Sequence, residues 1–177
     1  MRVCVFCGSA PGARPVYLEA AKALGAGLAR GGHELVYGGA SVGTMGAVAD
    51  AALAEGGRVI GVIPRSLVDR EIAHRGLSEL VVVDSLAARK DRMFERSDAF
   101  VSLPGGYGTL DETFEALTLQ QLGGPRHPVI FVDLEGFYGS LVAFLDHAAQ
   151  EGLVQRAHRS FVTVVPDVAG ALAALQG

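Results

Sequence analysis

Seven short runs rich in Val, Ile and other apolar residues recur along the chain, and the stretches between them carry the periodicity of amphipathic helix. The runs fall at residues 2–7, 34–37, 58–63, 79–83, 99–103, 129–132 and 161–165. Parallel strands need long crossovers, usually helical, so strands alternating with helices from end to end specify a parallel sheet covered on both faces. VVV at 81–83 and VIFV at 129–132 carry no polar residue, as burial between two helix layers requires. Helices are predicted at 16–30, 44–55, 85–96, 109–122, 137–151 and 168–175. In the first, Tyr17, Ala21, Leu24 and Leu28 share one face, and Gly31 and Gly32 stop it. The charge-rich stretch 64–78 reads as a loop with a short helix. The expectation is an α/β fold: a Rossmann-like, doubly wound, mainly parallel sheet of about seven strands with helices on both faces. The length of 177 residues is that of one ordinary domain, so residues 1–177 are read as a single nucleotide-binding domain.

Composition narrows the function. Half the residues are hydrophobic and 19% are charged, which excludes intrinsic disorder. The net charge of -4 and pI near 5.7 argue against nucleic acid as a partner, since nucleic-acid surfaces are basic. No apolar run approaches the roughly 20 residues of a membrane helix, so the expectation is a cytoplasmic protein without membrane contact. Cys4 and Cys7 lie at i and i+3 of a strand, on opposite sides, and read as two buried small side chains with no metal between them. The five histidines are scattered and form no recognisable catalytic order.

Glycine is the outlier, at 24 of 177 residues, about twice the usual ~7% share. The glycines gather where strands end: CGS at 7–9, GGASVGTMG at 38–46 and PGGYGTLDE at 104–112. In an open parallel sheet that is the edge where ligands bind. Glycine lets backbone amides approach an anion, and the next helix adds the positive end of its dipole. Gly8, Ser9, Gly39, Gly43, Gly105, Gly106 and Gly108 are therefore read as phosphate-cradling positions. There is no Gly-Lys dipeptide, so the P-loop is excluded. A dinucleotide fingerprint fits poorly, because Asp111 stands where the third glycine belongs, although Asp133 falls near the place of a ribose-binding acid. Asp111 and Glu112 are expected in the first turn of their helix. Arg89 and Lys90 fall early in theirs, where cations sit unfavourably with the dipole, which implies a partner: a phosphate, or the acids of the neighbouring loop. Glu71 adds a carboxylate at the same edge if its loop folds back.

Taken together, VCVFCGS (3–9), VYGG (36–39), GVIP (61–64), Arg89-Lys90 with Met93, SDAF (97–100) and LPGGYGTLDE (103–112) resemble the LOG (lonely guy) family, in register over about residues 2–155. Its members are cytokinin riboside 5'-monophosphate phosphoribohydrolases, long labelled lysine decarboxylases. The resemblance implies a Rossmann-like fold, a homodimer, and hydrolysis of a nucleoside monophosphate to free base and ribose 5-phosphate without a cofactor. It places the catalytic pair on Arg89 and Glu112, and substrate binding on Glu71, Lys90, Gly106, Tyr107, Gly108, Thr109 and Thr118. Two departures stand out: Leu86-Ala87 where Met-His is common, and GGA at 38–40 where GGG is usual.

The chemistry is consistent with this. Cleaving an N-glycosidic bond builds positive charge on the ribose, which a carboxylate can stabilise while orienting water; Glu112 is the candidate. Arg89 offers a fork to phosphate or ribose oxygens. Pyridoxal chemistry needs a lysine for its Schiff base, and the chain has only Lys22 and Lys90. The rival readings are a broad purine nucleotide nucleosidase acting on AMP, and a non-catalytic nucleotide or molybdenum-cofactor carrier.

Overall fold

The computed structural model describes residues 1–68 and 72–176. The chain runs β1 (Arg2–Phe6), α1 (Pro15–Arg30), β2 (Glu34–Tyr37), α2 (Gly43–Ala54), β3 (Val59–Pro64), α3 (Arg65–Val68), β4 (Glu79–Val83), α4 (Leu86–Glu95) and β5 (Ala99–Ser102). It continues α5 (Tyr107–Gln121), β6 (Val129–Val132), α6 (Gly139–Gln150), α7 (Arg156–Arg159), β7 (Val162–Val165) and α8 (Val168–Ala174). The seven strands form one parallel sheet in the order β4-β3-β2-β1-β5-β6-β7. Strand order grows outward from β1 in one direction as far as β4, then resumes on the other side of β1 with β5. The switch point, where connections leave for opposite faces, is thus between β1 and β5.

Strand pleating sorts the core into two layers. Val3, Val5 and Cys7 face one side with Leu35 and Tyr37, against Leu24 and Leu28 of α1, Val48 and Ala49 of α2 and Ala171 of α8. Cys4 and Phe6 face the other with Val36, against Met93 of α4 and Ala116 of α5. The two cysteines thus occupy opposite layers, both buried and unbridged, as their spacing predicts. Phe6 stacks on Phe100 at a centroid distance of 5.7 Å, and Phe94 packs edge-on to both rings. On the far side Phe131, Tyr138 and Leu145 form a third cluster beneath α5 and α6.

Most predicted boundaries agree to within two residues, the usual scatter of helix and strand ends. One difference matters for the site. The helix after β5 begins at Tyr107 with Gly106 as its N-cap, two residues before its predicted start, and no acid lies in its first turn. Asp111 and Glu112 therefore sit in the second turn. The stretch read as a loop with a short helix contains that helix as α3, and the bridge from Ala40 to Ala73 ties it back to the loop after β2. No helix among the described residues is long and apolar enough to cross a membrane.

Helices α1 and α2 cross closely because Gly25 presents no side chain to α2: a Cβ there would fall within 3.0 Å of the Val48 carbonyl oxygen. Gly25→Ala should therefore lower stability by about 1–3 kcal/mol, the usual cost of overpacking. Urea unfolding checks this through the midpoint at unchanged slope.

Candidate active site

The loop after β1 and the loop after β5 diverge at the switch point, and a cleft of about 390 Å³ opens between them. One wall is the loop Cys7, Gly8, Ser9 and Ala10; the opposite wall is the start of α5 from Gly106 to Thr109. Helix α4 supplies Leu86, Arg89 and Lys90 to the same cleft, and Asp111 and Glu112 reach it from the second turn of α5. Met45 of α2 and Leu67 of α3 complete the lining.

The end of α5 is an anion cradle by construction. The first four amides of a helix have no partner within it, and Gly106 offers no capping side chain. A Cβ on Gly106 or Gly108 would meet nothing within 4 Å, so protein packing does not require either glycine; open space lies over both. The Thr109 hydroxyl is buried and has no hydrogen-bond partner among the described residues. An anion seated on these amides would meet that hydroxyl and the positive end of the helix dipole.

The first turn of α5 is held from beneath. Thr113 donates its hydroxyl to the Thr109 carbonyl at 2.6 Å, so Ser102 at the end of β5 donates in turn to Thr113 at 2.7 Å; both side chains are fully buried. On the other side, the Gly8 amide donates to Thr44 Oγ1 at 2.9 Å and the Thr44 hydroxyl donates back to the Gly8 carbonyl at 3.0 Å. The Gly8 amide is therefore engaged with the protein. Gly43, at φ +59°, packs against the Ser9 carbonyl, where a Cβ would also stand 2.6 Å from the Ala10 nitrogen.

Facing the cradle is a buried ion pair. Arg89 Nη2 donates to Glu112 Oε1 at 2.6 Å, with the side chains 12% and 8% exposed. Burial, opposed mainly by Arg89, raises the Glu112 carboxyl from its usual 4.5 to about 7. Desolvation outweighs the Coulombic gain, as is usual for a buried pair held by one hydrogen bond. Arg89 Nε is also buried without a partner among the described residues, so the guanidinium keeps a donor in reserve. Lys90, by contrast, turns outward along α5 to Glu115 and to Asp111 at 2.9 Å, and these two carboxylates raise its pKa, Glu115 the more. The partners implied for Arg89 and Lys90 are thus present as the acids of α5.

Of the positions singled out in the sequence, Gly8, Ser9, Arg89, Lys90, Gly106, Tyr107, Gly108, Thr109, Asp111 and Glu112 converge on the cleft. Tyr107 stands on its rim, 95% exposed. Gly39 and Gly43 lie behind the cleft: Gly39, at φ +76°, packs on Val62 and Ile63, and Gly43 on the loop after β1. Gly105 fits beneath Thr109, where a Cβ would lie 2.7 Å from the Thr109 Cβ, and it lines a neighbouring hollow of about 190 Å³ with Tyr17 and Phe137. Thr118 is off the cleft on α5, donating to its own helix at Phe114. Asp133 is occupied by the Tyr138 amide at 2.5 Å. Glu71 lies outside the described residues. Cys7, Met45, Leu67 and Leu86 were not among the site residues read from sequence; the only signal for them was adjacency to the glycine loops and to the Arg-Lys pair.

Fold and cleft together define a doubly wound α/β protein whose switch-point cleft is lined by the amino end of a helix and by a buried carboxylate–guanidinium pair. A family profile described as "Possible lysine decarboxylase" matches residues 45–175. The chain is 46% identical over 175 residues to the cytokinin riboside 5'-monophosphate phosphoribohydrolase of Rhodococcoides fascians, covering 98% of this chain and 88% of that protein. It is 45% identical over 166 residues to the enzyme of that name, LOG7, from Arabidopsis thaliana, covering 94% and 76%. Among solved structures, the molybdenum cofactor carrier protein of Chlamydomonas reinhardtii aligns with a TM-score of 0.75 at 25% identity, covering 99% of this chain and 95% of that one. The chain belongs to the LOG family, as its motifs indicate.

The decarboxylase description does not fit the residues present. A Schiff base to pyridoxal phosphate forms on a neutral amine, and Lys90 is held protonated by Glu115 and Asp111. Lys22 is exposed on α1, away from the cleft.

A carboxyl raised from 4.5 to about 7 keeps a proton that the unfolded chain has lost, so it weakens folding as pH rises through that window. Carbon-detected NMR should place the Glu112 midpoint near pH 7. In Arg89→Ala the midpoint should move higher still, because the main charge that lowers it is gone.

Proposed function

We infer that this chain hydrolyses the N-glycosidic bond of cytokinin riboside 5'-monophosphates to free base and ribose 5-phosphate. The observation that carries the catalytic assignment is the position of Glu112. It is a buried acid, close to half ionised at neutral pH, on the same helix whose amino end offers free amides to a phosphate.

The amides of Gly106, Tyr107, Gly108 and Thr109, with the Thr109 hydroxyl, hold the 5'-phosphate. The ribose then lies along α5 toward Glu112, one to two turns on. As the bond from C1' to the base breaks, its electron pair leaves with the base and positive charge develops on C1' and the ring oxygen. The Glu112 carboxylate stabilises that charge and accepts a proton from the water that adds to C1', while the departing base takes a proton from solvent water and the hydroxide so formed recovers the proton from Glu112. Arg89 keeps Glu112 oriented and directs its spare Nε–H to a ribose or phosphate oxygen. Met45, Leu67 and Leu86 present an apolar wall for the base and any apolar substituent on it. Every step uses groups of the chain and water, with no cofactor. The same reading takes the protein to act as a cytoplasmic homodimer on a small-molecule substrate, without nucleic acid.

The likeness to a molybdenum cofactor carrier supports one rival, a protein that binds a nucleotide without turning it over. A product assay separates the two. Wild type should release base and ribose 5-phosphate from isopentenyladenosine 5'-monophosphate, faster than from AMP. Glu112→Ala should lower kcat by about 10²- to 10⁴-fold, the span expected for a positioned acid–base group. In wild type kcat should rise with pH through about 7 as Glu112 ionises. Stoichiometric binding with no product would remove the hydrolase reading, and equal rates on both nucleotides would favour the broad nucleosidase. Light scattering at twice the chain mass would confirm the dimer, and a single-chain mass would remove it.

A further inference from the structure

The residue that stands directly behind Arg89 is a glycine outside the cleft. Gly38 follows the last residue of β2 and does not line the cavity. Its φ is not in the left-handed region, unlike that of Gly39, so the backbone at this position is one that other L-residues can adopt. What a side chain at 38 would meet is the guanidinium. A Cβ would fall within 3.0 Å of Arg89 Nη2, at 3.1 Å from Arg89 Cζ, and at 3.0 Å from Met45 Sδ. Nη2 is the same nitrogen that donates to Glu112 Oε1 at 2.6 Å.

We propose that Gly38 is a positioning residue for hydrolysis: the lack of a side chain there seats the Arg89 guanidinium so that Nη2 faces Glu112. The inference rests on reading Arg89 and Glu112 as the reacting pair. Three features make the seat selective. The guanidinium is planar and moves as a unit, so pushing one nitrogen turns the whole fork. The Met45 thioether is the far end of a flexible chain and can give way at little cost. Arg89 is nearly buried, so a displaced fork has nowhere to go except into the cleft. There it would lose its alignment with Glu112, and a misplacement on the order of 1 Å near a reacting centre can cost about 10²-fold in rate.

The seat also sets when Glu112 ionises. The charged and titratable groups facing that carboxyl are Arg89 and Lys90 from α4, Asp111 and Glu115 from its own helix, and the thiols of Cys4 and Cys7 from β1. Arg89 is the strongest of the groups that favour the charged form, and Asp111 and Glu115 oppose it. Burial pushes the Cys7 thiol up to about 12 and raises Cys4 too, so both are neutral near pH 7 and cannot substitute for a lost cation. Moving the guanidinium away must raise Glu112 further and delay its ionisation.

The test is Gly38→Ala in the full chain, with kcat and KM for isopentenyladenosine 5'-monophosphate measured across pH. The expected result is a fall of about 10- to 10²-fold in kcat, little change in KM, and an acid limb displaced to higher pH. An acid limb that stays in place overturns the proposal, because a merely structural methyl would cost stability without moving it. A thermal cycle tests the steric claim without activity. Gly38→Ala alone should lower Tm by about 2–8 °C, whereas in an Arg89→Ala background the same change should move Tm by no more than about 1 °C. Equal losses in both backgrounds overturn the seat. Should Gly38→Ala alone fail to fold, recovery of folding in the double variant supports the proposal, and an unfolded double variant overturns it. If wild type releases no base, the hydrolase reading fails while the thermal cycle still decides whether Gly38 seats Arg89.

Discussion

Adjacent parallel strands whose connections leave on opposite faces cannot keep their ends covered. At β1 and β5 that constraint opens the molecule. One connection runs to α1 on one side, the other to α5 on the opposite side, and the gap between them is the cleft. Everything chemical follows from how that gap is lined. Helix α5 points its amino end into it, and α4, joined to α5 by ion pairs, contributes the buried Arg89. Hydrogen bonds hold the two strand-end loops in place. The Thr44–Gly8 exchange fastens one loop and the Ser102–Thr113–Thr109 chain fastens the other.

Within the cleft, two kinds of positive charge divide the work. The helix end provides diffuse, fixed dipoles that suit a phosphate of any orientation. Arg89 provides a directed charge that addresses one carboxylate. The carboxylate is costly to hold there, since burial works against its ionisation more strongly than Arg89 works for it. That imbalance is useful to a glycosidase: a carboxyl poised near neutrality can both stabilise a cation and take a proton. Lys90, one residue along α4, shows the alternative. Its ammonium is satisfied by two carboxylates at the outer edge, where it ties α4 to α5 and leaves the interior to Arg89.

The architecture was legible in the sequence because alternating apolar runs and helical periodicity report directly on burial, and the strand-end glycines marked the correct edge of the sheet. Arg89, Glu112 and the 106–109 loop were legible for a second reason, a motif dense enough to identify. What the sequence did not disclose depended on packing between distant elements. Gly39, Gly43 and Gly105 look like Gly106 and Gly108 in a string of letters. Only coordinates distinguish a glycine pressed against Ile63, Ser9 or Thr109 from one facing empty space. The start of α5 was misplaced by two residues because a glycine N-cap leaves no side-chain signature. Met45 and Leu67 escaped notice because apolar residues in helices ordinarily read as core, and Leu86 was marked only as a departure from the family's usual pattern.

On the proposed reading, the end of the cleft that would grip an anion is made of main chain, and the end that would break a bond is made of two side chains. Most substitutions delete a side chain in one step, whereas only a change to proline removes a backbone N–H. A descendant that lost its carboxylate would keep its grip on phosphorylated compounds and forfeit only turnover. On such a site, loss of turnover with retention of binding is a short step.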